Sequence, residues 1–185
     1  MKWIGERISF VDENNKTTIV ILPDKKFWIN GVMGAWLAMW YTIGIVVIWS
    51  LNALSLSKQE KIILFVFLSF WVYYAFKVTR SFLWLLYGKE LIKIDEASFH
   101  FKKSIKSYGK SVPYYFENMR NFSLKIPEAN SIQVVWEASP WVRGGERLTF
   151  EYFGKEIRFG RKLNEKDAKL LFNLVNKRIT ERKRK

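Results

Sequence analysis

The sequence predicts an α+β membrane protein, with a transmembrane helical hairpin and a strand-rich soluble domain capped by a C-terminal helix. Three observations predict it. Two long apolar stretches, at about residues 32–54 and 62–87, stand back to back with only the polar link Ser57-Lys58-Gln59-Glu60-Lys61 between them. Short strand-like runs separated by turn residues fill most of the remainder. The last 20 or so residues carry apolar side chains at helical spacing.

Met33–Leu51 is a run of 19 residues without a charge, and about 20 cross a hydrocarbon core at 1.5 Å per residue. In the second stretch Ile62–Phe76 is apolar, Lys77 and Arg80 interrupt, and Phe82–Tyr87 resumes. Antiparallel pairing places Trp36 level with Arg80, so each helix spans about 27 Å between its marks. Trp36 and Trp40 then lie with Lys77 and Arg80 near one interface, where amphipathic rings and snorkelling cations collect. Lys89 follows just beyond, and these five residues are the expected lipid-interface set. Both helices continue about two turns further, through Phe27–Ala35 and Ser81–Tyr87. Gly31, Gly34, Ala35 and Ala38 place small side chains on the first helix at spacings that let another helix approach closely. That neighbour is either the second helix of the hairpin or a helix of another protein.

Charge sets the expected orientation. The link carries two lysines, against five Lys+Arg before the hairpin and 22 from Lys89 onward. The positive-inside rule puts both termini in the cytoplasm, with most weight on Lys25, Lys26, Lys77, Arg80 and Lys89 near the helix ends. Met1–Leu22 alternates polar and apolar residues and lacks the apolar core of a signal peptide.

The soluble strands are expected at Trp3–Val11 and Thr17–Leu22, then at Glu90–Ile94, Ser98–Ile105, Val112–Tyr115, Asn121–Ile126, Ile132–Glu137, Arg147–Tyr152 and Glu156–Gly160. Turn residues such as Asp95-Glu96-Ala97 and Gly154-Lys155 separate them, and the spacing suggests a sandwich or small barrel. A closing helix at 164–182 has Asn164 as its N-cap and an apolar face of Ala168, Leu171, Phe172, Val175 and Ile179.

A strand-rich domain capped by one C-terminal helix resembles the pleckstrin-homology fold, and in detail the bacterial pleckstrin-homology-like domains attached to membrane hairpins. The residues that carry this are Ile19-Val20-Ile21-Leu22-Pro23, Gly88-Lys89-Glu90-Leu91-Ile92-Lys93-Ile94-Asp95 and Gly160-Arg161-Lys162-Leu163. The resemblance implies that residues 1–24 form a β-hairpin joining the sheet of the cytoplasmic domain, 88–185, with the hairpin at 25–87 inserted between them. It also implies a bacterial inner-membrane location.

Chemistry is sparse. The chain has no cysteine and one histidine, His100, which excludes disulfides, thiolate metal sites and histidine-rich metal sites. No phosphate-cradling or dinucleotide motif occurs, and no cofactor is expected. Ser104 and Ser139 have no evident base, His100 alternates with aromatics on a strand, and the carboxylates read as solvated strand faces beside lysines. Trp141 and Arg143, in the loop Ala138–Glu146, are the residue types of binding hot spots and the expected partner-binding pair. From Lys89 onward 22 basic residues face 12 acidic ones, a net of +10. Anionic phospholipid or an acidic protein surface would balance that charge, and nothing in the sequence favours nucleic acid. The expectation is a non-enzymatic scaffold or accessory subunit of a larger membrane protein complex. The alternative is a tethered module that binds anionic headgroups.

Overall fold

The computed structural model describes residues 2–13, 15–24, 27–128, 131–139, 141 and 144–183. The chain divides into two compact units, one formed by Met1–Asp24 with Tyr87–Lys185 and the other by Lys25–Leu86.

Among the described residues nine strands form two antiparallel sheets in the first unit. The larger sheet is a six-stranded meander of β1 (Lys2–Ile4), β2 (Ile8–Asp12), β3 (Thr17–Ile21), β4 (Gly88–Ile94), β5 (Ser98–Ile105) and β6 (Ser111–Tyr115). The smaller contains β7 (Met119–Leu124), β8 (Glu146–Tyr152) and β9 (Lys155–Arg161). Of the expected sandwich or small barrel, a closed barrel is not found: the two antiparallel sheets stay separate and do not close on themselves.

β3 and β4 are direct neighbours, with Thr17 opposite Ile94 and Ile21 opposite Glu90, although 66 residues lie between Ile21 and Gly88. The two apolar helices therefore occupy the connection of one antiparallel strand pair. Alternation explains the pairing. Ile19 and Ile21 on β3 and Ile92 and Ile94 on β4 are buried, and the period of two puts them on one face.

The core lies between the sheets. Phe99 of β5 meets Phe150 and Phe159 at ring distances of 5.4 Å each. The last helix, α4 (Glu165–Lys183), closes it with Ala168, Leu171, Val175 and Ile179 buried, and Phe172 stacks on Phe122 at 4.9 Å. Asn164 caps α4, its side-chain oxygen accepting from the Asp167 amide at 2.6 Å. Glu165 and Asp167 in the first turn and Arg182 and Lys183 in the last complement the helix dipole.

Two expected strands come out differently. Trp3–Val11 is broken by a turn at Gly5-Glu6-Arg7. Gly5 has φ +63°, and an added Cβ would lie 1.9 Å from the Asp167 carboxylate, so only glycine fits there. Ile132–Glu137, read as a strand from its β-branched residues, belongs to the helix α3 (Ile132–Ala138). Ser131 caps that helix, accepting from Val134 N, and Gln133 donates to Glu137 one turn on at 2.7 Å. No neighbouring strand pairs with the segment, so local capping prevails over β propensity.

The second unit consists of α1 (Phe27–Ala53) and α2 (Lys58–Tyr87). α1 begins at Phe27, where its expected extension begins, and α2 begins four residues before its apolar boundary at Ile62. At the start of α2, Ser57 N donates to the Glu60 carboxylate at 2.8 Å and Glu60 N donates to Ser57 Oγ at 3.3 Å, a reciprocal capping box.

Candidate functional site

Two features stand out: the helical pair, and a polar network within the soluble unit where its strands give way to the helices.

The helices meet along a seam of Met33, Leu37 and Gly44 on α1 and Trp71, Ala75 and Ser81 on α2, all buried. At its centre two tryptophans exchange bonds. The Trp40 indole donates to the Trp71 carbonyl at 3.3 Å, and the Trp71 indole donates to the Trp40 carbonyl at 2.8 Å. Gly44 makes this possible, since a Cβ there would lie 2.1 Å from the Trp71 ring. Trp36 stacks on Trp40 at 4.9 Å. Gly34 faces Phe82, whose ring would be 3.5 Å from an added Cβ, in keeping with Trp36 and Arg80 at one level.

The small residues thus divide. Gly34 and Gly44 serve packing within the pair, whereas Gly31, Ala35 and Ala38 are exposed and Gly31 meets nothing within 4 Å. Gly44 and Trp71 belong to the seam but not to the expected packing set; an isolated glycine in an apolar run gives no hint of a tryptophan 27 residues away.

Outside the seam the helices expose large apolar side chains, among them Ile45, Trp49, Ile63, Phe65, Phe70 and Phe76. Several of their polar side chains are satisfied within their own helix. Thr42, Ser50, Asn52 and Ser69 each bond the carbonyl four residues back, at 2.7 to 2.9 Å. Lys77 is exposed and donates to the Tyr73 hydroxyl at 3.0 Å, and Arg80 is exposed.

In the soluble unit, Leu22 and Gly88 mark where the chain leaves and re-enters the sheet. Arg7 ties this root to the end of β9. Its Nε donates to the Leu22 carbonyl at 2.9 Å and its Nη1 to the Lys162 carbonyl at 2.6 Å. Lys162 in turn donates its ammonium to the Ser139 carbonyl at 2.6 Å. Burial, reinforced by the neighbouring Arg161, pushes the Lys162 ammonium down to about 8.

Glu90 corrects the expectation that the carboxylates are solvated. It is 2% exposed. Its Oε2 accepts from the Gly160 amide at 2.6 Å, linking the two sheets, while Oε1 has no partner among the described residues. Gly160 meets it with φ +74°, a conformation glycine adopts without strain. Burial raises the Glu90 pKa above its ordinary value, only partly opposed by Lys103 and the Gly160 amide. The folded state therefore holds a proton that the unfolded state releases, so stability falls as pH climbs from the ordinary glutamate range through the raised folded value. Glu90→Gln is expected to flatten that decline. Thermal midpoints of the full chain between about pH 4 and 8 check it; an unchanged slope would refute the assignment.

Lys89 and Lys93 alternate with the buried residues of β4, and Lys102 lies opposite Leu91, so all three share the outer sheet face. Lys93 pairs with Asp95 at 3.2 Å and Lys102 donates to the Ser107 carbonyl at 3.1 Å. Asp95, Ser98 and His100 also meet. The Ser98 hydroxyl donates to Asp95 at 2.6 Å and lies 3.0 Å from His100 Nε2, which is itself 3.0 Å from the carboxylate. Serine and carboxylate thus contact the same ring nitrogen, and the serine proton is directed at the aspartate, so this is not a relay that would activate a nucleophile. Burial pushes Asp95 up, but the Ser98 hydroxyl, Lys93 and His100 outweigh it and hold the carboxyl below its ordinary value.

Trp136, Glu137, Arg147, Lys125 and Arg158 line a cleft of about 440 Å³ beside α3. Its charges are paired: Arg147 with Glu137 at 2.8 Å inside the cleft, and Lys125 and Arg158 with Glu156 beside it. Trp141 is 38% exposed, and Arg143 lies outside the described residues, as do Lys25, Lys26 and the last two residues of the tail. No group of three or more metal-ligating side chains occurs among the described residues. No family model, curated protein or solved structure matches the chain.

Proposed function

We propose that the chain is a non-catalytic scaffold or accessory subunit of a larger membrane protein complex. In this reading α1 and α2 cross a bacterial inner membrane as a hairpin with both termini in the cytoplasm, and the soluble unit is a pleckstrin-like interaction module. The observation that carries it is the pair of helices, each long and apolar enough to span a membrane, with most of their apolar side chains uncovered. A two-helix unit cannot hide this surface from water by itself, whereas lipid or another membrane protein covers it. The back-bonded hydroxyls support the same reading, since hydrocarbon offers polar groups no water. The outer-face lysines, Lys89 and Lys93 exposed and Lys102 half-buried, support the alternative, a tether that holds anionic phospholipid.

One purification separates the readings. The tagged chain is expected to resist alkaline carbonate extraction and then to recover an integral membrane partner in stoichiometric amount in mild detergent. A monomer that instead retains anionic lipid, and loses it in Lys89→Glu/Lys93→Glu/Lys102→Glu, establishes the alternative. Release by carbonate would overturn both.

A further inference from the structure

Apart from Gln133, the exposed side of α3 is apolar. Ile132, Val135 and Trp136, at spacings of three and four, share one face and are 86%, 74% and 66% exposed. Val134 and Glu137, on the other side, are turned toward the fold, Glu137 bonded to Arg147. A short helix that ties its polar side to its own domain and turns isoleucine, valine and tryptophan outward is inverted relative to a helix of a water-soluble surface.

Its position in the soluble unit says what covers that face. Ser139, at the end of α3, accepts from Lys162, whose carbonyl accepts from Arg7, which also bonds Leu22. Glu137 reaches the same region through Arg147, which donates to the Leu163 carbonyl at 3.3 Å. Glu90, two residues beyond Gly88, holds the Gly160 amide. α3 thus sits at the pole of the soluble unit from which both apolar helices depart, three hydrogen bonds from the residue that leads into them.

We propose that α3 is an interfacial helix whose Ile132, Val135 and Trp136 enter the headgroup–acyl boundary of the membrane that α1 and α2 cross. This rests on the reading of those helices as membrane spans. Tryptophan beside aliphatic residues is the composition that settles at this depth. The three side chains expose on the order of 400 Å², about half of the ~800 Å² per partner that a stable protein interface buries, so lipid rather than a second protein is the occupant. The soluble unit's excess of basic residues favours the same anionic surface.

The cysteine-free chain permits a direct test. Three single-cysteine variants of the full chain, Val135→Cys, Phe70→Cys and Lys155→Cys, are spin-labelled. They are reconstituted at low protein density in phosphatidylethanolamine–phosphatidylglycerol vesicles. Position 70 reports the proposed span. Position 155 opens β9 beside the β8–β9 turn, at the other end of the strands that carry Glu146 and Arg161. The oxygen-to-nickel-chelate accessibility ratio at 135 is expected to exceed that at 155 severalfold and to fall below that at 70. A ratio at 135 equal to that at 155, with 70 still in lipid, overturns the interfacial helix alone. Aqueous values at all three positions overturn the membrane reading and the inference with it. Protection of 135 from both relaxants, with spin–spin broadening, would identify a second copy as the occupant and refute the proposal.

Discussion

Gly44→Leu is expected to separate α1 from α2. The Trp71 ring occupies the space where the new side chain would begin, at 2.1 Å from the Cβ position, and both residues are buried in the seam. The ring cannot withdraw without cost, because its indole proton is committed to the Trp40 carbonyl while Trp40 reciprocates. In an apolar surrounding a freed indole proton and carbonyl have no replacement partners. Overpacking costs about 3 kcal/mol at such a site, to which the two lost bonds add. The loss is measured as a fall in the thermal midpoint of the detergent-solubilised chain and as new cleavage within residues 27–87. Trp71→Ala in the Gly44→Leu background removes the obstructing ring and is expected to restore part of the loss, a coupling that a double-mutant cycle quantifies. Additive effects would show that the two side chains do not oppose each other.

Phe159→Ala is expected to cost the soluble unit about 3–5 kcal/mol. Phe159 is fully buried, and its ring approaches Phe99, Phe101, Phe122 and Phe150 at 5.4 to 6.2 Å. Phe99 and Phe101 belong to the six-stranded sheet, and Phe122 and Phe150 to the three-stranded one. The substitution therefore empties the place where the sheets meet. Denaturant unfolding of the full chain should show a lower midpoint, and amide exchange should show protection lost in both sheets. Loss confined to β7–β9 would mean that the sheets unfold independently.

Short-range patterns were legible in the sequence. The α4 cap at Asn164, its apolar stripe, the two long apolar helices and most strand–turn alternations rest on neighbours within a few residues. What escaped depends on partners far along the chain. Gly5 breaks the first strand because of Asp167, more than 160 residues later. Glu90, next to Lys89, has the composition of a wet strand face; only β9 folding across it makes it a buried bridge. The Trp40–Trp71 exchange needs the register of two helices, which residue counts bounded but did not single out. α3 shows the opposite failure, a β-branched run judged by propensity when Ser131 and the Gln133–Glu137 bond decide its form.

Seating the helices between β3 and β4 also sets a timetable for synthesis. At about 5–20 residues per second, β3 waits roughly 3–13 s before β4 emerges. Throughout that interval β3 offers an unpaired edge, a template for the wrong strand of another chain. The completed sheet then depends on a segment from each side of a 66-residue excursion. A fragment of residues 88–185 would lack three of the six strands, β1, β2 and β3, and would leave β4 as the exposed edge. The practical domain boundary in this protein is therefore a pair of cuts, at about Asp24 and Tyr87, whose free ends must be joined for the soluble unit to be made alone.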